Sequence, residues 1–261
     1  MTVILLAPYL FAAPLSRPVR SAVARSWYRG CSRLCALKVR VRGHPVGEGP
    51  VLYAANHVSY LDVVVLGGFL DALFVAKAEV VRWPVIGPLA KLQRTIFIER
   101  TATRASVDNT ELRHRLAMGE SVIIFPEGTS SDGRRVLPFK STLFEIVQPR
   151  RLGRDIWIQP VSVAYPRYAD GRPLTGGLEA CYAWYGEATL FGHLVRVFGL
   201  RGAVVEVTFH EPVRASAFAD RKALARHCEA RVAAGVRGAF IRTLACTPRL
   251  RPDPKIGRSV P

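Results

Sequence analysis

Acidic residues are scarce in this chain. It carries 20 Asp+Glu against 37 Lys+Arg, a formal charge of +17 and a pI near 10.4. Such an imbalance favours anionic partners: nucleic acid, an anionic bilayer surface or acidic carrier molecules. Yet no Lys/Arg run is long, and both a Cys/His finger pattern and an aromatic RNP signature are missing, so no nucleic-acid partner is expected. Cysteine is sparse as well. Cys31, Cys35, Cys181, Cys228 and Cys246 form no C-x-x-C pair and are odd in number. Cys31 and Cys35 share a helix face at i, i+4, which by itself does not make a zinc site. All five read as reduced, structural thiols in a cytosolic compartment, and no metal site is expected. A G-x-S-x-G elbow is also missing, which counts against a serine hydrolase.

Long hydrophobic runs are lacking too. Residues 2–15 are almost wholly apolar, but as a helix they would rise only about 21 Å against a hydrocarbon core of roughly 30 Å. Pro8 and Pro14 interrupt them, and no cationic segment precedes them as a secretory signal requires. Arg17, Arg20, Arg25, Arg29 and Arg33 then interleave with Val19, Val23, Trp27, Tyr28 and Leu34. The expectation is a shallow apolar insertion followed by a basic amphipathic helix on anionic headgroups. An ordinary helix packed on the core is the alternative, and a spanning helix shortened by a mis-assigned start is another.

What is present is an oily chain of 261 residues, 49% hydrophobic with a mean hydropathy of +0.15. That length suits one large α/β domain. Residues 37–41 alternate apolar and basic, as an edge strand does. Short apolar runs at 51–55, 73–76, 95–100, 121–125, 156–164 and 204–209 read as strands. A helix or a second buried element is expected at 63–70 and helices at 102–118, 137–147, 189–198 and from 215 to about 244, with a loop at 165–177. Pro160 places its strand at an edge, a bulge or a site-facing position. The irregular segment 80–92, with Trp83, Pro84, Ile86 and Pro88, suits a lid, a tunnel wall or a buried connection. Strands alternating with helices and no internal repeat predict a single α/β domain with a mainly parallel sheet flanked by helices, preceded by an N-terminal membrane-associating helical segment. The expected boundaries are 1–36 for that segment, 37–245 for the domain and 246–261 for a disordered basic tail.

Chemistry concentrates where strands end. After the strand at 51–55 comes Asn56-His57-Val58-Ser59-Tyr60-Leu61-Asp62. His57 can take a proton near neutral pH, and Asp62, five residues on, can hold the other imidazole nitrogen. That is a base and its orienter without a protein nucleophile, so the substrate's own hydroxyl can serve. A histidine capping a helix is the bland alternative. After the strand at 121–125 comes Pro126-Glu127-Gly128-Thr129-Ser130-Ser131-Asp132-Gly133, a polar turn whose amides and hydroxyls suit an anion or simply make a turn. Lys140, in the first turn of the expected 137–147 helix, is unfavourable there by dipole logic and suggests an anionic ligand, or else plain exposure. In a mainly parallel sheet these strand ends converge.

Four stretches together resemble the lysophospholipid acyltransferase family, typified by 1-acylglycerol-3-phosphate acyltransferase. They are the N-H-x-S-x-x-D block at 56–62, Phe97-Ile98-Glu99-Arg100, Phe125-Pro126-Glu127-Gly128-Thr129 and Ile158-Gln159-Pro160-Val161. The resemblance spans about 37–209. It implies a membrane-associated O-acyltransferase in which His57 deprotonates a lyso-lipid hydroxyl and Asp62 holds His57. The donor is acyl-CoA or acyl carrier protein, and no cofactor is needed. Asn56, Ser59, Phe97, Arg100, Glu127, Gly128, Thr129, Ser130 and Lys140 are then the substrate-binding set. The acceptor is expected to be 1-acylglycerol-3-phosphate, with lyso-ornithine lipid as the alternative, at the cytoplasmic face of the inner membrane on a monotopic or single N-terminal anchor. A binder without catalysis on the membrane surface is the remote alternative. The family pattern commonly continues Phe-Pro-Glu-Gly-Thr with arginine, where this chain has Ser130, and often begins the second block with glycine, where it has Arg94. Arg94, Arg134 or Arg135 can stand in for the missing guanidinium. The Ser-Ser-Asp-Gly continuation at 130–133 and the 184–193 stretch with Trp184 and His193 look more like the bacterial lyso-ornithine lipid enzymes.

Overall fold

The structure is a computed structural model that describes residues 16–47, 49–84, 86–98, 110–174, 178–186 and 188–245. Among these residues, eight strands form one sheet: β1 (Leu37–Arg42), β2 (Val51–Ala55), β3 (Ala72–Lys77), β4 (Ile96–Ile98), β5 (Ser121–Ile124), β6 (Trp157–Tyr168), β7 (Ala203–Phe209) and β8 (Val213–Arg214). Their order is β1-β7-β6-β2-β5-β3-β4, with β8 beside β6. Pairs β1–β7, β2–β6, β2–β5, β3–β5 and β3–β4 are parallel, whereas β6 runs antiparallel to β7 and β8. The single α/β domain with a mainly parallel sheet is therefore as expected, and β1 does lie at an edge.

Central strands read as unbroken apolar runs because both faces are covered. In β2, Tyr53 and Ala55 join one core and Leu52 and Ala54 the other. The first core packs under α1 (Arg17–Leu34) and α2 (Tyr60–Gly67), through Tyr28, Leu61, Val65 and Leu66. The second packs under α4 (Thr110–Ala117) and the long C-terminal α7 (Arg221–Ala245), through Leu112, Leu116, Leu224 and Val232. Between them in sequence come α3 (Ile86–Leu92), the single turn α5 (Pro149–Leu152) and α6 (Leu190–Gly199). The basic segment from residue 17 is a helix, and it is built into the domain. Tyr28 is buried, meets Phe74 edge-on, and packs so closely on Gly67 that a Cβ there would lie 2.5 Å from its ring. No helix of the described residues is long and apolar enough to cross a membrane. The apolar stretch 2–15 and the tail from 246 lie outside the described residues.

Four expectations are corrected. The helix foreseen at 137–147 is only a 3-10 turn, Ser141–Phe144. Its would-be first turn is held extended: Leu137 N donates to Glu127 Oε2 (2.9 Å), Phe139 N to Glu229 Oε2 (2.8 Å) and Lys140 N to Pro126 O (2.9 Å). Donors satisfied by tertiary acceptors have no need of a helix, so the dipole argument for Lys140 lapses. The loop foreseen from 165 begins four residues later, since β6 runs on through Tyr168. Pro160 is in an interior strand: its carbonyl accepts from His210 N (3.0 Å) on the side where β7 ends and β8 begins, so the missing N–H falls at a gap between neighbours. The last helix starts at Arg221, after a 3-10 turn at Ala215–Ala217.

Candidate active site

The site forms at the ends of two neighbouring parallel strands, β2 and β5. Ser59 caps α2: its Oγ accepts from Leu61 N (3.3 Å), and Asp62, the third helical residue, returns a bond to the Ser59 amide (2.9 Å). This capping box places Asp62 in the first turn, nearer the helix start than a turn and a half. The Asp62 carboxylate is fully buried. Its Oδ2 accepts from Val58 N (2.6 Å), Ser59 N and His57 Nδ1 (2.9 Å), and its Oδ1 from the Tyr165 hydroxyl (2.8 Å). Two of the groups on Oδ2 are amides that can only donate, so Oδ2 is an acceptor and the imidazole proton belongs on Nδ1. That leaves His57 Nε2 as the basic lone pair. The ring is about one-fifth exposed and stacks on Phe125 (centroids 4.1 Å apart, planes 20°).

The β5 turn grips the same loop. Glu127, 2% exposed, accepts from His57 N (2.7 Å) with Oε1 and from Leu137 N (2.9 Å) with Oε2. Burial pushes its carboxyl up to about 7 against the pull of those two bonds, with Asp62 and Glu229 adding to the rise. Ser131 N and Oγ both donate to His57 O (2.9 and 3.2 Å). Ser130 Oγ donates to Trp184 O, and Trp184 N donates to Val58 O (2.9 Å). Gly128 takes φ +75°, a conformation that suits glycine.

His57 opens on a cavity of about 520 Å³, walled by Trp27, Tyr60, Phe74, Trp83, Leu89 and Ile98 among others. Gly128, Thr129 and Ser130 belong to the same wall. So do Val80, Trp83, Ile86 and Leu89 of the 80–92 segment. The remaining expected site residues that are described do not line it. Asn56 is buried and exchanges bonds with the Val163 backbone (Nδ2 to O 2.9 Å, N to Oδ1 2.8 Å), stitching β2 to β6. Ser59 is consumed by its cap. Phe97 and Lys140 are not part of the cavity wall, and Arg100 lies outside the described residues. Arg94 is not a stand-in guanidinium, because it pairs with Glu120 (2.7 Å) beside a separate cavity of about 60 Å³. Trp184 lines the main cavity, whereas His193 is buried behind it, 3.1 Å from the Tyr60 hydroxyl. Sequence reasoning missed Tyr165: it sits 103 residues from Asp62, and no local pattern marks the pair.

A histidine whose Nδ1 is held by a buried carboxylate, on an α/β sheet beside an apolar cavity, is an arrangement chemically able to activate a hydroxyl or water. Comparison makes this specific. The chain belongs to the acyltransferase family, whose profile, described as Acyltransferase, matches residues 38–164. It is 39% identical over 219 residues to a lyso-ornithine lipid O-acyltransferase of Brucella abortus, covering 82% of each chain. It is 32% identical over 199 residues to a 1-acyl-sn-glycerol-3-phosphate acyltransferase of Neisseria gonorrhoeae, covering 75% of this chain and 74% of that one. In fold it is similar to the 1-acyl-sn-glycerophosphate acyltransferase PlsC of Thermotoga maritima, with a TM-score of 0.64 and 21% identity over 95% of this chain and 97% of that one.

Proposed function

We propose that this acyltransferase moves a fatty acyl group from the thioester of acyl-CoA or acyl carrier protein to the hydroxyl of a lyso-lipid. The observation that carries the reading is the His57–Asp62 pair facing a largely apolar cavity that suits a lipid. His57 Nε2 takes the acceptor's hydroxyl proton as its oxygen attacks the thioester carbonyl. Asp62 holds the resulting imidazolium through Nδ1–H. The tetrahedral intermediate collapses, the C–S bond breaks, and Nε2 returns its proton to the departing thiolate. Such a base contributes roughly 10²–10⁴-fold.

Within the expected substrate-binding set, Gly128, Thr129 and Ser130 fit direct contact, since they line the cavity. Asn56, Ser59 and Glu127 fit positioning, since their polar atoms serve the backbone. Arg100 and Lys140 remain proposals for the acceptor's polar head, and Phe97 for substrate contact. A lyso-ornithine acceptor is favoured by the relative at 39% identity and by Ser130, which stands where the family pattern commonly has arginine. The positive charge and the apolar 2–15 stretch support action at an anionic membrane surface, on the cytoplasmic face.

The test is acyl transfer by detergent-solubilised full-length chain, wild type against His57→Ala, offering both donors and, separately, lyso-ornithine lipid and lysophosphatidate. Transfer to the ornithine acceptor that the variant lacks supports the reading. Transfer to lysophosphatidate alone would overturn the acceptor, and an active His57→Ala would overturn the base.

A further inference from the structure

Helix α6 is amphipathic in an inverted sense. Its buried face is narrow, made by His193 and Val197 one turn apart. On the opposite side Phe191, Val195 and Phe198 are 77%, 56% and 50% exposed. At about 100° per residue these three fall within an arc of about 60°. Single exposed apolar residues are ordinary, but an aligned stripe with two phenylalanines marks a contact surface. The stripe does not stand alone. Exposed Tyr185 precedes it, and residues 184–186 are part of the cavity wall beside His57. The apolar surface thus runs from the helix into the site.

The occupant must suit both that surface and its charge. Exposed Arg196 flanks the stripe, exposed Arg201 follows the helix, and the chain carries +17. A second copy would bring like charges together, whereas an anionic bilayer complements them. Ten residues rise only about 15 Å, so the helix fits an in-plane orientation and not a span. Trp184 and Tyr185 at its entrance are the residue types that settle at headgroup depth.

We propose that α6 lies in the plane of an anionic bilayer with Phe191, Val195 and Phe198 among the acyl chains, so that lipid passes from the membrane into the cavity at Trp184 without crossing water. This contact is separate from the N-terminal segment and rests on the lipid-acceptor reading.

The experiment uses the full chain and the Phe191→Ser/Phe198→Ser double variant, which changes only exposed side chains. Transfer to a lyso-lipid is measured in phosphatidylglycerol-containing vesicles and in detergent micelles. The variant's vesicle rate should fall on the order of tenfold, with its micelle rate within about twofold of wild type. Equal loss in both formats, or none in vesicles, overturns the proposal. Wild type inactive in both would strike the acceptor reading instead, and the surface is then judged by a second readout. In Phe198→Trp, vesicles with brominated acyl chains should quench the added emission; unquenched emission overturns the surface. So would sedimentation showing that the double variant turns a dimer into a monomer while its vesicle rate is kept.

Discussion

The turns that follow β2 and β5 are adjacent in space and opposite in construction. Around the Asp62 carboxylate the β2 turn is nearly self-sufficient: His57, Val58 and Ser59 all donate to it within six residues, and only Tyr165 reaches that carboxylate from afar. The β5 turn keeps a few local bonds, such as Gly128 N to Phe125 O and Gly133 N to Ser131 Oγ, but the side-chain bonds that tie it to the site are tertiary. Glu127 reaches His57 and Leu137, Ser131 reaches His57, and Ser130 reaches Trp184. The first turn holds the proposed proton-transfer pair, and the second holds the first turn. Damage to the first should therefore fall on rate, and damage to the second on stability and placement.

That contrast is open to attack by substitution. The largest effect should come from His57→Ala, which removes the base and should cut the transfer rate by roughly 10²–10⁴-fold with an unchanged Tm. Retained activity would move the base elsewhere. Next is Asp62→Asn. Its Oδ1 can keep the amide and imidazole bonds while Nδ2 donates to the Tyr165 oxygen, so the geometry survives and the charge is lost. Turnover should fall on the order of 10²-fold with KM changed little; equal changes in both would mean a structural role only.

Glu127→Gln should act differently, by setting an amide N–H₂ against a backbone donor. A loss of about 1–3 kcal/mol is expected, read by denaturant titration. The pH dependence gives a sharper check. Because burial lifts the folded Glu127 carboxyl from 4.5 to about 7, the folded chain binds more protons than the unfolded one between those values. Its contribution is fully present below about 4.5 and is lost as pH rises through about 7. Glu127→Gln should flatten the fall of Tm with pH in that window, and an unaltered profile would remove Glu127 as its source. The smallest effect should be Ser130→Ala, which frees the Trp184 carbonyl. A loss of about 0.5–1.5 kcal/mol and a modest rise in KM for the acceptor are expected; a large fall in turnover would place Ser130 at the reacting atoms.

Much of the fold was legible because strands buried on both faces write themselves as unbroken apolar runs, as at 51–55 and 121–124. Helix α6 was legible as the apolar helical stretch at 189–198, and the structure adds its Thr189 cap. The segment at 137–147 misled because its periodicity is helical while its amides are taken by Glu127, Glu229 and Pro126, which no window of local sequence contains. In the candidate site, the His57–Asp62 pair was legible for the same local reason that it forms: a capping box returns the Asp62 side chain over the residues just before the helix.

Sequence by itself determined the α/β class, the excess of positive charge and the two strand-end turns, because each depends on composition or on spacings of a few residues. Only the tertiary structure decided that Tyr165 completes the Asp62 shell, that Glu127 braces the turns, and that α6 carries its apolar stripe outward beside the cavity. Those outcomes depend on which strands become neighbours and which helix faces are left uncovered, and both are set by the packing of the whole chain.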